Sequence, residues 1–109
     1  MEKEQELFAS IVKKMSRHKG VKAGRMMSAP GITSGGKVFA FYWKKEMIFR
    51  LGKEFDAVAF GLKEWHLLNP FKERPPMAGW FCVPYSESRH WEELARRALK
   101  ALRASGPSV

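Results

Sequence analysis

A chain of 109 residues is long enough to bury a core and too short for two domains, and its 45% hydrophobic and 28% charged residues exclude a disordered or membrane-spanning protein. No run approaches the roughly 20 apolar residues of a bilayer span, the single cysteine, Cys82, excludes an intrachain disulfide, and the acidic start through Glu6 is unlike an export signal, so the cytoplasm is the expected compartment. The formal charge of +9 and pI near 10.0 describe a solvated basic surface or one that attracts a polyanion, and by themselves do not separate the two.

Leu7, Phe8, Ile11, Val12 and Met15 recur at helical spacing, which predicts an amphipathic helix over residues 3–17. Glu4 and Glu6 lie near its positive pole and Lys13, Lys14 and Arg17 near its negative one, and Gly20 provides the stop. The basic cluster at the exit, Arg17, His18, Lys19, Lys22 and Arg25, reads as helix capping or as an anion-attracting patch.

From Arg25 the period changes. Met26, Met27, Ala29 and Ile32 lead into Ser34-Gly35-Gly36, a hairpin turn, and Pro30-Gly31 predicts a bulge or bend near a sheet edge. Lys37 to Trp43 is apolar on both sides, with Val38, Ala40 and Tyr42 on one face and Phe39, Phe41 and Trp43 on the other, so it belongs in the middle of the sheet. After a reversal at Lys44-Lys45, Met47, Phe49 and Leu51 alternate with Glu46, Ile48 and Arg50.

Phe55, Val58, Ala59 and Leu62 predict a short helix within residues 53–62. Residues 63–79, with Asn69-Pro70 and Pro75-Pro76, read as a long surface loop pinned by Trp65, Leu67, Leu68 and Phe71. Trp80 to Pro84 is β-favouring, and Ser86 is placed to cap a last helix through Ala104 with an apolar stripe of Trp91, Leu94, Ala95, Ala98, Leu99 and Leu102. Its outer face carries Arg89, Arg96, Arg97, Lys100 and Arg103. The sum is an α+β domain over residues 1–104: a curved antiparallel sheet of four to five strands flanked by N- and C-terminal helices, in the order α-β-β-β-α-β-α, with a disordered tail over 105–109.

Chemical motifs are sparse. Gly31 to Lys37 satisfies GxxxxGK, but a strand-forming Val38 follows where a phosphate loop needs Ser or Thr and a helix. Lys37-Val38-Phe39-Ala40-Phe41 partly matches the central motif of RNA-binding RRM domains, without its glycine and in a different element order. His18, His66 and His90 lack metal-ligand spacing and neighbouring Cys or carboxylate clusters, and Cys82 reads as a small buried hydrophobe. No catalytic set, cofactor or metal is expected.

Arg25-Met26-Met27, Gly31, Gly36-Lys37-Val38-Phe39-Ala40, Pro70-Phe71, Pro76-Met77, Trp80, Val83-Pro84 and the Trp91–Leu99 helix together resemble the TfoX N-terminal domain family. Where that family usually reads Met-Phe-Gly, this chain has Met26-Met27-Ser28. The resemblance implies a small α+β domain similar to YjbR-like and secretion-chaperone-like folds, often paired as dimers. The family's namesake is a bacterial regulator of natural competence with a further domain, and the family supplies no catalytic motif.

Residues and resemblance together predict a non-enzymatic binding or regulatory module that acts through protein–protein contacts as a homodimer. Phe39, Phe41 and Trp43 would form its partner surface or its core. The alternative is nucleic-acid binding through Arg17, Lys19, Lys22 and Arg25 or through Arg89, Arg96, Arg97, Lys100 and Arg103. An enzyme with residues 63–79 as a lid comes third.

Overall fold

The computed structural model describes residues 2–26, 28–68 and 77–104, apart from the side chains of Met77 and Ala78. The expected disordered tail at 105–109 lies outside these residues.

The first helix, α1, spans Lys3–Met15 and buries Phe8, Ile11 and Met15. It ends two residues before the expected Arg17, because the N–H groups of Arg17 and His18 donate to Lys14 O and Met15 O, a tightened last turn. Strands β1 (Val21–Met26), β2 (Ala29–Ser34), β3 (Lys37–Trp43) and β4 (Glu46–Arg50) follow. After a short helix α2 (Ala57–Phe60) come β5 (His66–Leu68), β6 (Met77–Pro84), a 3-10 segment (Tyr85–His90) and α3 (Trp91–Ala104). The class is α+β as expected, but the antiparallel sheet has six strands, in the order β1-β2-β3-β4-β6-β5, rather than the four to five of an α-β-β-β-α-β-α chain, because Val21–Met26 and His66–Leu68 also pair.

Turn chemistry sets the meander. Gly35 and Gly36, with φ of 60° and 83°, close the β2–β3 hairpin without steric cost. Lys44 and Lys45 adopt the same left-handed region at the next reversal, supported by a Lys44 ammonium 4.5 Å from the Trp43 ring and a Lys45–Glu2 ion pair at 3.1 Å.

The central strand departs from simple alternation. Pairing slips from Ile32↔Ala40 to Thr33↔Val38, which leaves Phe39 as an inserted residue. Phe39, Ala40 and Tyr42 therefore turn toward the helices, whereas Phe41, with Val38 beside it, lies in a cluster on the opposite face. This corrects the expectation of Phe39, Phe41 and Trp43 as one face. The slip lies just beyond Pro30-Gly31, near the edge strand β1, as their sequence suggested.

The main core lies between the sheet and the helices. Phe8, Ile11 and Met15 of α1, Ala57 of α2, and Trp91, Leu94, Ala95, Ala98 and Leu99 of α3 pack on Phe39, Met47, Phe49 and Val83. Trp91 is fully buried, and its indole N–H donates to Val83 O at 3.1 Å. On the other face Ala29, Phe41, Ile48, Leu68 and Cys82 form a smaller cluster with Trp80, whose ring lies 5.7 Å from that of Phe41.

Three further expectations change. Asp56 caps α2 by accepting the Ala59 N–H at 3.0 Å, and Gly61 stops it at φ 109°, so the helix is shorter than 53–62. The expected loop over 63–79 contains β5 and the start of β6, and its residues 69–76 lie outside the described ones. Ser86 does not cap the last helix: its hydroxyl donates to Glu64 Oε1 at 2.6 Å, and α3 begins only at Trp91.

The reason for that delay is Glu87. It is 3% exposed, and its Oε2 accepts the backbone N–H groups of Lys63 and Glu64 at 3.0 and 3.1 Å, while Arg89 and His90 face its Oε1 at 3.6 and 3.8 Å. The irregular turn points this carboxylate inward and ties the approach to β5 onto the start of α3. Replacing Glu87 by Ala removes the acceptor of two amides and should destabilise the fold by about 2–4 kcal/mol, with Glu87→Gln costing less because an amide oxygen still accepts. Urea unfolding checks the order of the two losses, and equal losses would contradict the role given to the acceptor.

Candidate functional site

The basic residues singled out in the sequence fall into separate groups. Arg89, Arg96 and Arg97 are committed to carboxylates: Arg96 to Glu92 and Glu93 at 2.8 and 2.7 Å, Arg97 to Glu93 at 3.3 Å, and Arg89 to Glu87 at 3.6 Å. Hydrogen bonds from Lys14 to Glu92 and from Arg96 to Glu93 are the leading causes that hold these two carboxyls below their ordinary range. Lys22 and Arg25 lie on the edge strand β1, with Arg25 donating to Ser28 O at 3.4 Å.

The remaining group converges. Arg103, at the end of α3, donates to Lys19 O at 3.0 Å, and Lys14 pairs with Glu92 at 3.1 Å near the other end of that helix. These two contacts lay the exit of α1 along the stripe of α3 that carries Arg96, Lys100 and Arg103, which share one side at helical spacing. The Gly35 N–H donates to Gly20 O at 3.4 Å, which brings the β2–β3 turn and Lys37 to the same end. Among the described residues, Arg17, Lys19, Lys37, Lys100 and Arg103 have no carboxylate within ion-pair distance. The result is a seam of uncompensated positive charge. Lys37 was not part of the patch read from sequence, since only the hairpin's return places it there.

The phosphate-loop pattern at Gly31–Lys37 folds as strand, turn and strand, with Lys37 opening β3. Phe39 and Phe41 are 0% and 4% exposed, so they offer no platform for stacking bases; Trp43, at 43%, is the exposed ring of that strand.

A shallow cleft of about 500 Å³ is lined by Glu54, Phe55, Asp56, Ala59, Phe60 and Arg97. Its polar groups are largely engaged: Asp56 in the α2 cap, and Arg97 with Glu93 and over the Phe60 ring at 4.9 Å.

The outer face of the sheet holds a cluster that the sequence reading missed. In the sequence His66 has no neighbouring Cys or carboxylate cluster, yet Glu46, His66 and Cys82 place a carboxylate oxygen, a ring nitrogen and the sulfur within 4.8 Å of one another. His66 pairs across strands with Cys82, and Cys82 with Ile48, two residues beyond Glu46, so strand periodicity sends all three side chains to one face. His66 Nε2 lies 3.0 Å from Glu46 Oε1 and Nδ1 lies 3.2 Å from Leu67 O, so both ring nitrogens have polar partners that fix the ring's orientation. Residues 20 and 16 positions apart on three strands leave no local spacing signal; the alternation of each strand, once paired, is what aligns them.

No protein-family model, curated protein or solved structure matches the chain.

Burial, with the Glu46 charge adding to it, pushes the Cys82 thiol up to about 12 from an ordinary value near 9. Its burial as the neutral thiol therefore contributes fully below pH 9 and is lost as pH rises toward 12. At pH 8 the metal-free native protein should react with a disulfide reagent such as DTNB about a thousandfold more slowly than the urea-unfolded chain, the ratio of thiolate fractions. Comparable rates would show that Cys82 is neither buried nor held neutral.

Proposed function

We propose that this protein is a non-enzymatic binding module that holds a polyanion, in the first instance a nucleic-acid backbone, along the seam between the α1 exit and the outer stripe of α3. The observation that carries this reading is the Arg103–Lys19 contact at 3.0 Å. It gathers Arg17, Lys19, Lys100 and Arg103, with Lys37 beside them, where no acidic side chain among the described residues neutralises them. Like charges held together repel one another, and a bound polyanion relieves that repulsion and releases its own counterions. Compositional charge alone would scatter the cations; here five of the nine basic residues marked in the sequence, Lys22, Arg25, Arg89, Arg96 and Arg97, lie in ion pairs or on the edge strand, and the other four are concentrated. A regulatory role is in keeping with the resemblance to TfoX N-terminal domains, and the engaged polar groups of the cleft favour a non-enzymatic one.

A homodimer joined through the aromatic face is the other reading. Its support narrows to Trp43, because Phe39 and Phe41 are already buried within one chain. Light scattering at micromolar concentration distinguishes it from a monomer.

Fluorescence anisotropy with a labelled DNA duplex tests the seam. With four to five phosphates neutralised, the log–log dependence of affinity on salt should have a slope of about −4, a loss of about two orders of magnitude from 50 to 200 mM. Lys19→Glu with Lys100→Glu should shrink the slope by about two and weaken binding at least tenfold, whereas charge reversal at Lys44, in the β3–β4 turn at the opposite end of β3 from Lys37, should leave the slope unchanged. Undetectable binding at low salt, or binding indifferent to the seam variants, would refute the proposal.

A further inference from the structure

We propose that the outer face of the sheet carries a transition-metal site of the zinc type, formed by Glu46 of β4, His66 of β5 and Cys82 of β6. The three ligand atoms already lie within 4.8 Å of one another, and a tetrahedral zinc ion with bonds of about 2.0–2.3 Å sets its ligands roughly 3.3–3.8 Å apart. Small rotations of two side chains close the set. The backbone does not have to move, because all three residues stand on hydrogen-bonded strands and project to the same side.

The surroundings of the ligands fit the same role. His66 Nδ1 is anchored on Leu67 O at 3.2 Å, which leaves Nε2 as the coordinating nitrogen; a ring N–H held by a backbone carbonyl is the usual outer support of a metal-bound histidine. Nε2 already faces Glu46 Oε1 at 3.0 Å, and Cys82 lies beneath them, buried beside Ile48, Phe41 and Leu68. The His66 side chain is 60% exposed and that of Glu46 27%, so an ion enters from solvent on the His66 side and reaches the sulfur below.

The donor set selects the ion. One thiolate, one imidazole and one carboxylate suit Zn²⁺, whereas Mg²⁺ and Ca²⁺ require oxygen ligands throughout. On binding, a Zn–S bond forms as the Cys82 S–H proton leaves to buffer, and a Zn–N bond forms through the Nε2 lone pair while the ring N–H stays on Nδ1. The dication then supplies the positive charge that a buried thiolate otherwise lacks. With three protein ligands, the fourth position opens toward solvent and takes water or an added anionic or thiol ligand.

Titration of the full chain with Co²⁺ tests this directly. The expected result is one equivalent bound, a thiolate-to-cobalt charge-transfer absorption in the near ultraviolet, loss of that band when Zn²⁺ displaces the cobalt, and a higher thermal midpoint in Zn²⁺. His66→Ala changes an exposed side chain, so the fold should persist by circular dichroism while affinity falls at least about tenfold. Cys82→Ser should abolish the charge-transfer band, and if that variant does not fold, His66→Ala decides alone. His18→Ala and His90→Ala should bind like the parent. No stoichiometric ion, a bound ion without the thiolate band, or undiminished affinity in His66→Ala would overturn the proposal.

Discussion

The central strand has to serve two apolar layers of unequal depth, and one inserted residue lets it do so. In strict alternation Phe39 and Phe41 would share a face, and the helix side of β3 would receive only Val38, Ala40 and Tyr42. The slip between Ile32 and Thr33 instead turns the consecutive residues Phe39 and Ala40 toward the helices, where Phe39 fills the space beside Trp91, Phe49 and Met47. Gly31 permits this local geometry: a Cβ there would stand 2.9 Å from Ala40 O, against the bulged backbone. Phe41 is left to the opposite face, where it meets Trp80 and closes over Ile48 and Cys82.

With both faces of the middle strands apolar, charge is pushed to the rim of the sheet and to the outer sides of the helices. Acidic side chains are few there, and Glu92 and Glu93 at the start of α3 draw in Lys14, Arg96 and Arg97. Exposed pairs of this kind contribute little stability. Their larger effect is spatial, because they neutralise the beginning of α3 and leave its end, Lys100 and Arg103, uncompensated beside Lys19. The seam is thus a product of where the carboxylates are spent.

Periodicity made most of the framework legible. The apolar repeats of α1 and α3, the Gly35-Gly36 turn and the two-sided character of Lys37–Trp43 are all local patterns, and they lie where sequence reasoning put them. What stayed hidden depends on pairing. A bulge shifts the phase of alternation without any distinctive residue, β5 has only three residues, and Glu87 looks like an ordinary surface glutamate until its carboxylate is seen to accept two amides. Ser86 illustrates a competing interaction, since its hydroxyl is as well placed for Glu64 as for a helix cap. The basic seam was half visible: the residues stood out by charge, but which were free and which were paired is tertiary information.

The Glu46–His66–Cys82 cluster shows the same limit from the functional side. Each residue is unremarkable in its own strand, a wet-side glutamate, an exposed histidine and a small buried thiol, and only antiparallel pairing in the order β4-β6-β5 superimposes them. It also lies apart from the seam in the sheet order, since the seam gathers at the β1–β2–β3 end against α1 and α3, on the helix side. Solvent ions screen exposed charges beyond about 10 Å at 0.1 M salt, so a dication held by a carboxylate and a thiolate, nearly neutral as a set, adds little to the field along α3. The two proposed sites are therefore electrostatically independent: occupancy of one face by a metal would leave the cations of the other as available to a polyanion as before.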